Sequence, residues 1–175
     1  DGMVEVPRWR HALINIAHPL LKQGLVILDT PGLNAIGAEP ELTVSLIPRA
    51  DAVVFILGAD TGVTKSDLQI WKEHLISDDE KGASHLVVLN KIDAMWDALS
   101  TPAQIQKAIE RQRDSTAKTL GIQNSQVIPV SAQKGLVAKV NNDAQLLQAS
   151  QLPLLEQALS SSMLGRRNEI LRKNV

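Results

Sequence analysis

At 175 residues, 44% apolar and with a net charge of −1, the chain is one domain, or one domain with a helical extension, long enough to bury a core without staples. The near-neutral balance gives no electrostatic footprint for nucleic acid. The absence of cysteine removes any disulfide framework or thiolate metal site. The longest apolar runs, such as 52–57, are far too short to span a bilayer, and the first residues lack the pattern of a secretory signal, so the reading is soluble and intracellular.

In chain order, Trp9 to Leu21 carries apolar residues at Leu13, Ile14, Ile16, Leu20 and Leu21. Ala12 to Ala17 reads as a strand, and Lys22-Gln-Gly24 as the turn of a hairpin leading into the next strand. Leu25 to Asp29 has no polar interruption before its aspartate, the pattern of a strand buried on both faces, and Pro31-Gly32 stops it. Residues 33–40 are small and aperiodic, a loop; Glu41 to Ile47 reads as a short helix. Ala52 to Leu57 is a second buried strand. Thr64-Lys-Ser-Asp67 reads as a capping box opening a helix to about Ile76. His85 to Leu89 is a third buried strand. Ser100-Thr-Pro102 caps a long helix that ends near Gly121, with Ile105, Ala108, Ile109, Gln112 and Thr116 on one stripe. Gln126 to Val130 is a fourth buried strand, residues 135–148 read as weakly patterned helix, and Pro153 starts another. Strands alternating with helical patterns predict a mostly parallel sheet with helices on both faces. Residues 164–175, charged apart from Ile170 and Leu171, read as a helix leaving the domain.

Three short motifs follow apolar runs: Asp29-Thr-Pro-Gly32, Asn90-Lys-Ile-Asp93 and Ser131-Ala-Gln-Lys-Gly135. Carboxyl ends of parallel strands are where open α/β sheets bind ligands. Asp93 can accept two hydrogen bonds, from N1–H and the 2-amino group of guanine. Adenine offers neither donor, and a site that leaves a buried carboxylate unpaired rejects the wrong partner by roughly 10⁴-fold or more. Asn90 can tie its loop to neighbouring backbone, and the Lys91 and Lys134 stems can lie along the base plane. Ala132 supplies a backbone N–H for guanine O6. Asp29 would hold Mg²⁺ through water, and the Gly32 N–H would contact the γ-phosphate. Each motif alone also fits a plain turn or cap; the three in this order specify a guanine-nucleotide fold.

These motifs resemble the third, fourth and fifth guanine-nucleotide motifs of the GTPase superfamily. The wider text at 18–34, 50–60 and 64–68 is similar to bacterial dynamin-like GTPases, over about Trp9 to Met163. The resemblance implies an α/β, three-layer P-loop GTPase (G domain) fold over residues 1–163. It implies GTP/GDP binding, GTP hydrolysis with Mg²⁺, self-association through the nucleotide face, and membrane remodelling by a protein at the cytoplasmic side of a membrane. Residues 164–175 would then begin the helix leading to a helical bundle, and lipid would be met by parts outside this chain. A soluble GTPase of ribosome assembly would share the three motifs. A non-hydrolysing scaffold that lost its phosphate loop is the reading from another class.

Two departures from the family pattern matter. Leu33 stands where small signalling GTPases carry a water-orienting glutamine, so the catalytic residue is unidentified. Further, no Gly-x-x-x-x-Gly-Lys-[Ser/Thr] occurs in the sequence, so the phosphate cradle and its lysine are missing. The expectation is that Asp1 is not the natural start and that the first strand and phosphate loop lie upstream. By the family's strand order, the absent strand would sit between the Asp29 and Ala52 strands, another segment or chain would fill that slot, and residues 1–175 alone would hydrolyse nothing. The four histidines show no metal spacing, the tryptophans read as packing residues, Asp67 as a cap, and the basic cluster Arg166, Arg167, Arg172 and Lys173 as a solvated helix end.

Overall fold

The computed structural model describes residues 12–22, 24–30, 46–76 and 84–161. β1 (Ala52–Gly58), β2 (Ser84–Asn90) and β3 (Val127–Pro129) form a parallel sheet in that order. The register runs from Ala52↔Ser84 to Gly58↔Asn90 and from Val87↔Val127 to Leu89↔Pro129, so the carboxyl ends lie side by side. β2 is central, and its apolar run is buried on both faces, with Val87, Val88 and Leu89 at 2% exposure or less. That is the signature of a strand covered on both sides.

The helices form where caps and stripes place them. Thr64 opens α1 (Lys65–Ile70) as a capping box: its hydroxyl accepts from the Asp67 N–H (3.2 Å), and Asp67 Oδ2 accepts from the Thr64 N–H (2.9 Å). The helix continues as a π-helical turn, Trp71–Leu75, that directs both end residues into the core. α2 (Pro102–Leu120) has a second capping box at Thr101 and Gln104, proline in its first turn, and Gly121 in the left-handed conformation (φ 72) at its end. Trp71 Nε1 donates to the Leu120 carbonyl (3.1 Å), joining α1 to the end of α2. Sheet residues Leu57, Val87, Leu89 and Val127 meet Trp71, Leu75, Ile109, Ala117 and Leu120 in one apolar core. Each of the valine, leucine and isoleucine side chains contributes about 1.5–3 kcal/mol by burial.

The weak helix expected at 135–148 is two helices, α3 (Ala132–Asn141) and α4 (Ala144–Ala149). Asn142, at φ 54, ends the first, and the Asp143 carboxylate accepts from the Leu146 N–H (2.9 Å) to start the second. α5 covers 152–161.

Three expectations are corrected. Residues 12–17 form no strand and are exposed, and a helical turn, Pro19–Lys22, replaces the hairpin turn. Residues 25–30 form no strand either: Val26 is 80% exposed and Ile27 67%. β1 is buried on one face only, its Val54 and Ile56 being exposed. The reasons are connected. A strand is stabilised by cross-strand neighbours and a covered face. β1 hydrogen-bonds β2, and among the described residues nothing pairs with its other edge. The Leu25–Asp29 run has a strand's sequence without a strand's neighbours. Among the described residues the two runs are not paired with each other. Gly32, the 33–40 loop, most of the 41–47 helix and the 164–175 tail lie outside the described residues; Ile47–Arg49 is a 3₁₀ turn around Pro48.

Candidate functional site

The loops that leave the carboxyl ends of β1, β2 and β3 are stitched together by backbone. The Ala59 N–H donates to the Asn90 carbonyl (2.7 Å), the Val130 N–H to that of Leu89 (2.9 Å), and the Ile92 N–H to that of Val130 (3.3 Å). Ile92 is fully buried and anchors the 3₁₀ turn Ile92–Met95 beneath the site. Just before it, Lys91 adopts φ 65 and ψ 33. A long side chain in the left-handed region costs about 1–2 kcal/mol, and such positions cluster at ligand sites.

The Asn90 side chain holds this bend. Its Oδ1 accepts from the Lys91 N–H (2.8 Å) and, across the gap to the third loop, from the Ala132 N–H (3.1 Å). The expected tie to neighbouring backbone is therefore present. The Ala132 amide, expected to face a base oxygen, is directed at Asn90 and would have to share or exchange that bond on meeting a base. A second bridge crosses between the same loops. Ser131 Oγ donates to Asp93 Oδ1 (2.6 Å) and accepts from the Lys134 N–H (3.2 Å), thereby capping α3. Ser131 is fully buried, whereas Asp93 is half-buried. Among the described residues Asp93 Oδ2 makes no hydrogen bond. The carboxylate is thus held by one oxygen, with lone pairs on both still able to accept. Lys91 Nζ lies 3.4 Å from Asp60 Oδ2, so the first loop joins the cluster. Both side chains are substantially exposed, and such a pair orients the lysine more than it stabilises the fold.

Asn90, Lys91, Asp93, Ser131, Ala132 and Lys134 are therefore brought together at one edge of the sheet. Asp29 is not: it sits in the exposed, irregular 24–30 stretch, and no hydrogen bond among the described residues joins it to the cluster. No group of three or more histidine or acidic side chains among the described residues could hold a metal ion. Among the described residues the cluster thus offers one carboxylate with free lone pairs, a backbone amide and two lysine side chains. Sequence reasoning missed the Asp60–Lys91 pair. It also missed Ser150, whose carbonyl accepts from the Ser131 N–H (2.8 Å); no spacing rule signals that contact. A cavity of about 440 Å³ lined by Gln106, Glu110, Arg113 and Gln148 includes none of the site residues. Arg113 there is taken up by the Asn124 and Val127 carbonyls.

Residues 9–92 match the family model of the dynamin family. The chain is 35% identical over 130 residues to the probable transmembrane GTPase FZO-like, chloroplastic, of Arabidopsis thaliana, a match covering 70% of this chain and 13% of that protein. It is 30% identical over 167 residues to the isoniazid-induced protein IniA of Mycobacterium tuberculosis, covering 90% and 23%. An uncharacterized protein of Caldicellulosiruptor is 24% identical over 160 residues, covering 90% and 38%. The chain thus spans well under half the length of each of these relatives. Among solved structures, Aquifex aeolicus Era bound to GDP·AlF4⁻ aligns with a TM-score of 0.41 and 21% identity over 65% of this chain and 37% of that one. No helix among the described residues is long and apolar enough to cross a membrane.

Proposed function

This chain carries a dynamin-family GTPase domain, and from that premise we propose that it supplies the guanine-reading half of a GTP-hydrolysing site in a membrane-remodelling protein. The observation that carries the reading is the pair of bridges Ser131–Asp93 and Asn90–Ala132. They lock two loops at the carboxyl edge of a parallel sheet, which is where such sheets take ligands. Asp93 accepts from N1–H and the 2-amino group of guanine, both of its oxygens having free lone pairs. The Lys91 and Lys134 stems flank the base, and the Ala132 amide, shared with Asn90 Oδ1, serves O6. Neither the carboxylate nor the amide can satisfy adenine, whose 6-amino group would meet a donor and whose N1 would meet a carboxylate.

Hydrolysis belongs to the whole protein. Residues 1–175 contain no phosphate-loop sequence, and phosphoryl transfer rests on donors that neutralise the transferring group; alone they bind guanine nucleotide weakly and do not turn it over. Mg²⁺ would supply charge neutralisation at the phosphates; Asp29 is the carboxylate of this chain that would hold it through water, and the Gly32 amide would meet the γ-phosphate. The free edge of β1, with Val54 and Ile56 exposed on its open face, receives a further strand from another segment or chain, and residues 25–29 pair on the far side of that strand. Self-association through the nucleotide face and peripheral attachment to a membrane, on its cytoplasmic side, complete the reading. The membrane assignment draws on the relative whose name is a probable transmembrane GTPase.

Calorimetric titration of GTP, GDP and ATP into the full-length protein and into residues 1–175 tests this. Guanine-specific binding by the full-length protein, at least tenfold weaker in the shorter one, is expected. Equal affinity for ATP and GTP overturns the guanine assignment, and equally tight GTP binding by both proteins overturns the account of the short chain.

A further inference from the structure

We infer that Ser150 is a positioning residue for base recognition, acting through Ser131 on Asp93 and making α5 a mechanical partner of the guanine site. The inference rests on Asp93 reading guanine, as proposed above. Ser131 is fully buried, and besides capping α3 it makes two bonds that reach beyond its own helix. Its hydroxyl donates to Asp93 Oδ1 (2.6 Å), and its N–H donates to the Ser150 carbonyl (2.8 Å). Asp93 therefore points where Ser131 directs it, and Ser131 sits where Ser150 allows.

Ser150 is itself fixed with unusual completeness for a residue between two helices. It is fully buried; its hydroxyl donates to the Leu147 carbonyl (2.6 Å) at the end of α4 and accepts from the Leu152 N–H (3.2 Å) at the start of α5. Gln151, at φ 57, makes the sharp change of direction between them. Two further contacts bind the same junction to the helix that follows Ser131. Gly135 packs so closely that an added Cβ would meet Leu152 Cδ2 at 2.7 Å and Ser150 Oγ at 3.0 Å. One helical stretch further on, Lys139 of α3 forms an ion pair with Glu156 of α5. α3 and α5 thus move as one piece, and the Ser150 carbonyl transmits the position of that piece to the carboxylate at the base.

The consequence concerns geometry more than affinity in general. Guanine presents two donors side by side, and a carboxylate meets both only when its plane is aligned with the base. Inosine presents N1–H alone and tolerates a rotated carboxylate. Loosening the junction should therefore weaken guanine binding more than inosine binding.

The test compares GDP, IDP and ADP affinities of the full-length protein with those of the Ser150→Ala variant. In the unaltered protein GDP binds far more tightly than ADP; equal affinity would mean that the guanine reading itself fails, and this inference with it. In the variant the GDP:IDP affinity ratio falls roughly three- to tenfold, the change expected from loss of one well-made hydrogen bond. Equal losses for GDP and IDP, or no loss in a folded variant, overturn the inference while leaving the guanine assignment standing. A measurement without substitution covers a variant that does not fold. Backbone hydrogen exchange in the unaltered protein should slow on GDP addition at Ser131 and across 150–154 together; slowing at Ser131 with none at 150–154 overturns the link.

Discussion

Removing the Ser131 hydroxyl strikes the centre of the site, and its effect can be worked from the geometry. In Ser131→Ala, Asp93 Oδ1 loses a donor at 2.6 Å and the Lys134 N–H loses its acceptor at 3.2 Å. A hydrogen bond to a charged group contributes about 1.5–3 kcal/mol. Because Asp93 is only half-buried, water recovers part of this, which places the loss near the lower figure. Loss of an N-cap adds about 1 kcal/mol. The sum is a destabilisation of about 2–3 kcal/mol, read as a lower urea midpoint with an unchanged slope. Guanine affinity of the folded protein should fall about tenfold, the equivalent of about 1.4 kcal/mol, as Asp93 loses its fixed orientation. A variant with stability within about 0.5 kcal/mol of the original and unchanged GDP affinity would refute the assignment of Ser131 as the support of Asp93; changes of that size are what substitutions far from any such feature produce.

Further substitutions probe the frame around the site. Gly135→Ala gains helix propensity worth about 1 kcal/mol but drives a methyl to 2.7 Å from Leu152; overpacking of about 1–3 kcal/mol should win, and the melting temperature should fall. Trp71→Phe removes the Nε1–H donated to the Leu120 carbonyl in a buried setting, and a loss of about 1–3 kcal/mol in chemical denaturation is expected. Gly121→Ala meets no steric obstacle but must hold φ 72, which should cost about 1 kcal/mol; a neutral result would mean that the α2 terminus relaxes. Ile56→Lys places charge on the open face of β1, where Ile56 is 62% exposed. In residues 1–175 it should reduce concentration-dependent association by light scattering with little change in melting temperature, and a large drop in melting temperature would mean that this face is already covered.

Where a run of residues carries its own stop signals and finds its partners within the described chain, sequence and structure agree. Thr64 with Asp67, Ser100-Thr-Pro102, and Gly121 each mark a helix end that forms as read. β2 is apolar without alternation because both of its faces are covered. The expectation fails at Leu25–Asp29 and at 12–17, where periodicity describes what a segment can bury but not whether a neighbour is present to bury it against. The two motif loops were legible because their pattern is local: Asn90, Lys91 and Asp93 lie within four residues, and Ser131, Ala132 and Lys134 likewise. The ties between the loops were not. Ser131 to Asp93, Lys91 to Asp60 and Ser131 to Ser150 join residues distant in sequence, and only the parallel register of the sheet brings them together.

The most direct test of the central claim is the nucleotide preference of Asp93→Asn in the full-length protein. An asparagine amide replaces one acceptor oxygen with a donor, which opposes the 2-amino group of guanine and matches the 2-carbonyl of xanthine. GDP affinity should fall by roughly 100-fold or more, as expected when polar groups in a base pocket are left unpaired, while XDP affinity rises above that of GDP. Undiminished GDP binding by a folded Asp93→Asn protein would contradict the account, because Asp93 is the carboxylate it assigns to the base.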